Sequence, residues 1–129
     1  KPPLIEAHHA SHDLAALYDE LREVLGLPFV NTDYRAFARW PSYFALAWND
    51  LKPRLSEARY TTSIECVHKA AVELAVSLPN TTGITPHALR DAATSDASLE
   101  EVLSVVRLFQ WLLPGLAVNV AFLRSQLQP

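Results

Sequence analysis

Glycine and cysteine are scarce in this chain of 129 residues, and methionine is absent. Three glycines against nine prolines disfavour sheets with tight glycine turns and favour helices. The glycine-rich loops of nucleotide-binding enzymes are missing, so we expect no nucleotide cofactor. A single cysteine excludes an internal disulfide and a Cys-x-x-Cys redox site, and it is typical of a reducing, cytoplasmic setting.

Charge is also low: 19% of the residues are charged, 50% are hydrophobic, and the net charge is −3. The negative balance provides no basic surface, so we expect no nucleic-acid partner. An ordinary soluble domain has roughly 25% charged residues, and the shortfall indicates that a partner covers part of the surface. The longest apolar run, 108–123, is shorter than the ~20 residues of a membrane span, so we expect no membrane insertion.

Apolar spacings of three and four predict an all-α fold of six or seven helices. Residues 1–10 contain two early prolines and are predicted to be a linker or lead-in, followed by one helical domain over 11–129. The first helix is capped by Ser11 or Asp13 and ended by Gly26.

The second part of the chain is predicted to contain three further helices. A long one covers 54–78, the loop 79–83 follows it, and a short one covers 87–93 after Thr85-Pro86. Ser98 and Glu101 form a capping box for the last helix, Leu99 to about Gln126. We expect Pro114 to kink or split that helix, and we expect it to be buried on almost every side.

The stretch around Asp33 carries the strongest local signal. Asn31 or Thr32 is predicted to cap a short helix that ends near Trp40, because Pro41 follows and begins a third helix. Tyr34, Phe37 and Trp40, at spacings of three, are expected on or near one face. Asp33 then has two interpretations: a carboxylate stabilising a helix start, or a general base beside aromatic walls, with helix N–H groups holding an anionic substrate.

Other polar residues suggest a metal site or a buried amide. Glu65 and His68 share a helix face, but two-metal helical sites need a second such pair, so we expect no metal site there. The histidines before the first helix (His8, His9 and His12) lack a carboxylate at ligand spacing. Asn119 is either an interhelical hydrogen-bond partner or an amide that lines a pocket and orients a water.

The block Asp-Tyr-Arg-Ala-x-Ala-Arg-Trp-Pro at 33–41, with Leu-Pro-Phe-Val before it and Ala47-Trp48 and Leu51-Lys52-Pro53 after it, resembles the group I DL-2-haloacid dehalogenases. The resemblance runs from about Leu14 to Arg124. It implies an all-helical, cofactor-free hydrolase of short 2-haloacids that accepts both enantiomers. It also implies two related halves of about this length, with the active site between them.

The resemblance implies that Asp33 activates a water, which attacks the α-carbon directly, without a covalent intermediate, and inverts its configuration. Asn119 would position that water. The substrate-binding residues would be Thr32, Tyr34, Phe37, Trp40 and Phe109. This chain resembles one half, the one that bears the catalytic aspartate, so a second copy or a homologous half is the expected partner across an apolar interface.

Two alternatives remain open from the sequence. One is a non-catalytic helical oligomerisation module that binds a partner through its apolar last helix. The other is a metal or redox helical protein that uses Glu65, Cys66 and His68.

Overall fold

The computed structural model describes residues 3 to 128, and within that range the protein is all-α, as the sequence predicts. Residues 1, 2 and 129, which the predicted lead-in and domain include, lie outside the described residues. Two 3-10 helices cover Ala7–His9 and Lys52–Ser56. The α-helices are α1 (His12–Leu25), α2 (Thr32–Phe37), α3 (Pro41–Leu51), α4 (Ala58–Val76), α5 (Pro86–Asp96) and α6 (Leu99–Gln126).

The helices form two compact units. The first unit contains the described parts of Lys1–Glu57 and Phe122–Pro129, and the second contains Ala58–Ala121. Helices α1, α2 and α3 belong to the first unit, whereas α4 and α5 belong to the second. The prediction of a single domain over 11–129 stays a prediction.

Local capping chemistry places the helix ends where the sequence predicts them. Ser11 accepts a hydrogen bond from the Leu14 N–H and begins α1, and Gly26 ends it with φ 66°, a left-handed conformation that suits glycine. Thr85 caps α5, which is longer than predicted. Ser98 forms the expected reciprocal capping box, which begins α6. These predictions are confirmed because each depends on neighbours in sequence.

One predicted helix start is wrong. The long helix begins at Ala58 rather than Arg54, because Lys52–Ser56 is a 3-10 helix and Glu57 is extended, with ψ 139°. Pro53 lies in the first turn of the 3-10 helix, where its missing N–H removes no hydrogen bond.

The core of the first unit is aromatic. Tyr18 from α1, Tyr34 from α2, and Phe44 and Trp48 from α3 are all at most 2% exposed. The Trp48 indole N–H donates to Glu20 Oε2 at 2.8 Å, and Lys52 Nζ donates to the other oxygen of that carboxylate at 2.6 Å. Glu20 therefore joins α1 to α3 and satisfies the one polar atom of a buried tryptophan side chain.

The segment before α1 is held against the helices of the first unit. The Ile5 N–H donates to the Arg35 carbonyl at 3.1 Å, and the Tyr18 hydroxyl donates to the Ile5 carbonyl at 2.8 Å. Burial is the largest influence on the Tyr18 hydroxyl and raises its pKa. Ile5 and Glu6 of the predicted lead-in therefore contact α1 and α2.

The prediction that α6 is buried on almost every side is wrong for this chain. Its most apolar 18-residue window has a mean hydropathy of 1.5 but is only 17% buried. Val105, Val106, Trp111 and Leu113 are each at least half exposed. The composition of α6 predicts an apolar helix, but it does not predict what covers that helix.

Two further predictions about α6 concern a split at Pro114 and the exclusion of a membrane span. The helix continues through Pro114 without a break, so it is not split. It is also long and apolar enough to cross a membrane by length and composition, a test that core helices of soluble proteins pass as well. The length of its apolar run therefore does not exclude a span.

We predict that Glu20→Ala lowers the free energy of unfolding by about 1–3 kcal/mol, because the buried Trp48 N–H loses its acceptor. Glu20→Gln keeps an oxygen that can accept from the Trp48 N–H, so it should lower the free energy of unfolding by less. The hydrogen bonds from Lys52 and Trp48 hold the pKa of the Glu20 carboxyl below its ordinary value of 4.5. Because the folded-state pKa is depressed, the charge-dependent stabilisation is present above pH 4.5 and is lost as the pH falls through the depressed value.

Urea unfolding of both variants at neutral and acidic pH tests this, with Glu23→Gln on the exposed face of α1 as the control. An equal loss of stability in all three variants would contradict the role of Glu20 as the acceptor for the Trp48 N–H.

Candidate functional site

Asp33 lies in the first turn of α2, with its side chain exposed. Asn31, one of the two predicted caps, occupies the N-cap position, but its side chain makes no capping hydrogen bond. It is 8% exposed, and its Oδ1 has no protein partner. The carboxylate of Asp33 is thus presented to the surface from a helix start whose cap side chain is turned inward.

The ring next to Asp33 anchors α2. Tyr34 is 1% exposed and stacks on Phe44, with ring centroids 6.3 Å apart and an interplanar angle of 16°. Phe37 is half-buried, and its centroid is 6.4 Å from those of both Tyr43 and Phe44. These contacts join the predicted substrate-binding residues Tyr34 and Phe37 to the core, with Phe37 nearer the surface.

Trp40 does not share a helix face with Tyr34 and Phe37, so that expectation is wrong. Helix α2 ends at Phe37, and Trp40 lies at the N-cap of α3 with φ −118° and ψ 71°. Pro41 disfavours a helical conformation in the residue before it. Trp40 is 55% exposed, and the Arg39 guanidinium lies 5.5 Å from the centroid of its ring.

Thr32 precedes Asp33, is exposed, and accepts a hydrogen bond from Arg35 Nη2 at 3.3 Å. Arg35 also forms an ion pair with Glu6 at 2.6 Å. Thr32, Arg35 and Glu6 therefore form one continuous polar group at α2, and Asp33 follows Thr32 in the first turn of the same helix.

The other two predicted site residues, Asn119 and Phe109, belong to the second unit. Asn119 is 1% exposed, and its Oδ1 accepts a hydrogen bond from the Tyr60 hydroxyl at 2.9 Å. Burial raises the pKa of the Tyr60 hydroxyl, and the bond to Asn119 lowers it in part. Phe109 is 39% exposed on α6. The interhelical hydrogen bond is one of the two roles that the sequence leaves open for Asn119.

The residues named for metal or redox chemistry are not assembled into a site. Within residues 3 to 128, no group of three His, Cys, Asp or Glu side chains is arranged to hold a metal ion. The His68 ring stacks on Trp111 with centroids 4.5 Å apart. Cys66 is exposed, and His8 and His9 lie in the first 3-10 helix.

Sequence reasoning missed Glu6, Tyr18 and Arg35, which together hold α2. Glu6 lies 29 residues before Arg35, within a proline-led stretch that has no helical period. Arg35 is visible in the 33–41 block, but its partner is not, because no local rule links an unpatterned segment to a distant helix. Tyr18 could have been noted, since it lies next to the stripe position Leu17.

The chain is similar to known proteins along nearly its whole length, although no protein-family model matches it. It is 36% identical over 125 residues to an (R)-2-haloacid dehalogenase of Pseudomonas putida. It is 40% identical over 80 residues to an (R)-2-haloacid dehalogenase of Rhizobium sp. (strain NHG3). These relatives are hydrolases that act on carbon–halide bonds.

Solved structures show the same similarity. A D-2-haloacid dehalogenase mutant in complex with D-2-CPA matches with a TM-score of 0.80 and 32% identity. A D-2-haloacid dehalogenase in complex with L-LA matches with a TM-score of 0.80 and 33% identity. Each match covers 97% of this chain and 43% of the solved chain. The alignment with the P. putida protein covers 97% of this chain and 42% of that protein, so the chain spans less than half the length of these proteins.

We predict that Tyr60→Phe destabilises the second unit by about 1 kcal/mol at neutral pH, because Asn119 Oδ1 loses its donor in a buried site. The sign of the pH dependence follows from the raised pKa of Tyr60. Its stabilisation is fully present below the ordinary value of 10.0 and is lost as the pH rises through the folded-state pKa. The unfolding temperature of the wild-type protein should therefore fall between neutral pH and pH ~11, and that of Tyr60→Phe should fall less.

Tyr43→Phe, which removes a hydroxyl from α3, serves as the control. Equal neutral-pH stability of Tyr60→Phe and the wild-type protein would show that the Tyr60–Asn119 bond contributes nothing.

Proposed function

We propose that this chain, which is homologous to (R)-2-haloacid dehalogenase, carries the catalytic aspartate of an enzyme that hydrolyses short 2-haloalkanoic acids. The observation that carries the proposal is the placement of Asp33. Its carboxylate is exposed at the start of α2, while the next two residues tie that helix down through the buried Tyr34 ring and the Arg35–Glu6 pair. A reacting group is best held by rigid surroundings while it stays accessible itself.

In the proposed reaction, Asp33 acts as a general base on a water molecule. One O–H bond of the water breaks, its proton goes to the carboxylate, and the oxygen bonds to the α-carbon of the haloacid. The carbon–halogen bond breaks and its electron pair leaves with the halide. Attack opposite the leaving group inverts the configuration, and the products are a 2-hydroxy acid, halide and a proton. These steps need no cofactor.

The surrounding residues have distinct proposed roles. Thr32 precedes Asp33 in the chain, and its hydroxyl donates to the substrate carboxylate. Phe37 and Trp40, half-buried and exposed respectively, provide apolar surface for the carbon skeleton and the halide, and the buried Tyr34 supports them. Asn119, which would orient the attacking water, and Phe109, which would add apolar surface, belong to the second unit, and their roles stay predictions of the resemblance. We propose that both D and L substrates are accepted.

A carboxylate that is surrounded by water is a weak base for this step, so the site requires an apolar cover. Asp33 and Trp40 are exposed in this chain, and so are many apolar side chains of α6. We propose that a second copy or a homologous half covers such surface and completes the pocket. The exposed thiol of Cys66 suits a reducing, cytoplasmic location.

The alternative function is a non-catalytic oligomerisation module, which the exposed apolar face of α6 favours. The two functions differ in one observable. An oligomerisation module forms a stable assembly that releases no halide from any haloacid.

We predict that Asp33→Asn abolishes halide release from D- and L-2-chloropropanoate, because an amide accepts no proton at neutral pH. Loss of a general base typically costs about 10²–10⁴-fold in rate. The helical circular dichroism should stay unchanged, since Asp33 is exposed. The assay is chloride release by the complete protein that carries this chain.

Asp13→Asn is the matched control, because Asp13 holds the same position in the first turn of α1. It should keep wild-type activity. Equal activity of Asp33→Asn and Asp13→Asn would overturn the assignment of Asp33 as the base.

We predict that the purified chain self-associates at micromolar concentration through α6, and that Val106→Lys weakens the assembly. Val106 is 55% exposed, and a charge placed in an apolar contact must be desolvated. Val24→Lys is the control, since Val24 is an exposed apolar residue of α1 (44%). Sedimentation equilibrium measures the mass. A monomeric wild-type chain, or an equal effect of both variants, would contradict a role for α6 in pairing.

A further inference from the structure

The segment before α1 forms a closed set of contacts with α1 and α2. Both backbone groups of Ile5 are bonded, its N–H to the Arg35 carbonyl and its carbonyl to the Tyr18 hydroxyl. Tyr18 is 2% exposed, so this anchor lies in the core. The segment is thereby held in register, and Glu6 is placed where its carboxylate meets Arg35.

Arg35 is more constrained than the other arginines that form ion pairs in the described part of the chain. Its side chain is 25% exposed, against 44% for Arg22, 47% for Arg54 and 57% for Arg107. Its partner Glu6 is distant in sequence, whereas Arg22 and Arg54 pair within their own stretch of chain. The Nε atom of Arg35 is buried without a partner. The two outer nitrogens therefore make its contacts, one to Glu6 and one to Thr32.

The contact with Thr32 determines what the Thr32 hydroxyl can do. A threonine hydroxyl carries one proton and two acceptor lone pairs. A guanidinium has only donors, so the oxygen of Thr32 must be the acceptor towards Arg35 Nη2. One lone pair is thereby occupied, and the O–H is directed away from Arg35. Arg35 thus favours Thr32 as a donor, the role that recognition of an anion requires.

We infer that Arg35, held by Glu6, is a positioning residue for the proposed dehalogenation: it fixes α2 and orients the Thr32 hydroxyl to donate to the carboxylate of the 2-haloacid. This inference rests on the proposed function. It adds a role for two residues that do not touch the substrate, and it assigns the proline-led segment before α1 to the support of the site. The carbon–halogen bond is broken in the Asp33 step, so Arg35 acts on substrate binding.

The first test separates binding from chemistry in the complete protein. A contact made equally in ground and transition states affects KM and leaves kcat unchanged. We therefore expect Arg35→Gln to raise KM for 2-chloropropanoate about tenfold, because the Thr32 hydroxyl is no longer oriented to donate to the substrate carboxylate. Tenfold is the usual effect of losing one charge-assisted hydrogen bond. The kcat of this variant should change by less than about threefold, because the buried Tyr34 ring still anchors the backbone that carries Asp33. Arg35→Lys should be intermediate, because a lysine cannot contact Glu6 and Thr32 with a rigid fork.

The second test asks whether Arg35 acts through Thr32. Thr32→Val removes the hydroxyl and keeps the shape, so it should raise KM by a similar factor. Adding Arg35→Gln to Thr32→Val should then have little further effect, because coupled residues are not additive. Thr32→Ser keeps the hydroxyl and should retain the sensitivity to Arg35→Gln. Arg22→Gln is the matched control, since it breaks an arginine–carboxylate pair on α1, and its KM should equal that of the wild-type protein.

A third measurement does not depend on activity. Hydrogen exchange of the α2 amides should be at least several-fold faster in Arg35→Gln and in Glu6→Gln than in Arg22→Gln, because local opening is easier without the tether. Unchanged α2 exchange in the first two variants overturns the inference.

Unchanged KM in Arg35→Gln, or full additivity with Thr32→Val, also overturns the inference. If the wild-type protein releases no halide, the proposed function fails, and the positioning of α2 is then decided by exchange alone.

Discussion

Helix α2 contains six residues, and a helix that short has no stability of its own in water. Its position therefore depends on tertiary contacts. Tyr34 stacks on Phe44 in the core, and Arg35 is bonded to Glu6 from a segment that Tyr18 anchors. Asp33 lies between Thr32 and these two anchors. The result is an accessible carboxylate on a restrained backbone, the arrangement that a general base requires.

The apolar residues of the chain are divided between a closed core and an exposed helix. The core around Trp48 is closed, and even its indole N–H has an acceptor in Glu20. The apolar residues of α6 are largely exposed. A hydrolytic site that excludes bulk water needs apolar surroundings for its carboxylate. Asp33 is exposed in this chain, which is why we propose that a partner covers it. The chain matches less than half of each longer relative, as that proposal requires.

The sequence predicted the features that local chemistry controls. Ser11, Gly26 and Thr85 act on their own helix ends, so their roles were visible from neighbouring residues. Asp33 was located by its block, and its place at a helix start follows from Pro41 and the residues before it. Distant pairs were not visible: Glu6 with Arg35, and Glu20 with Trp48, join segments about 30 residues apart. The exposure of α6 was also missed, because an apolar helix has the same composition whether the same chain or a partner covers it.

The origin of the new oxygen tests the central claim most directly. Excess protein should be mixed with 2-chloropropanoate in ¹⁸O-water for a single turnover, and the masses of lactate and protein should be measured. If Asp33 activates a water that attacks the α-carbon directly, the lactate carries one ¹⁸O and the protein mass is unchanged. If the carboxylate itself attacks, the first lactate carries no ¹⁸O from water and the protein gains the label, which would contradict the account.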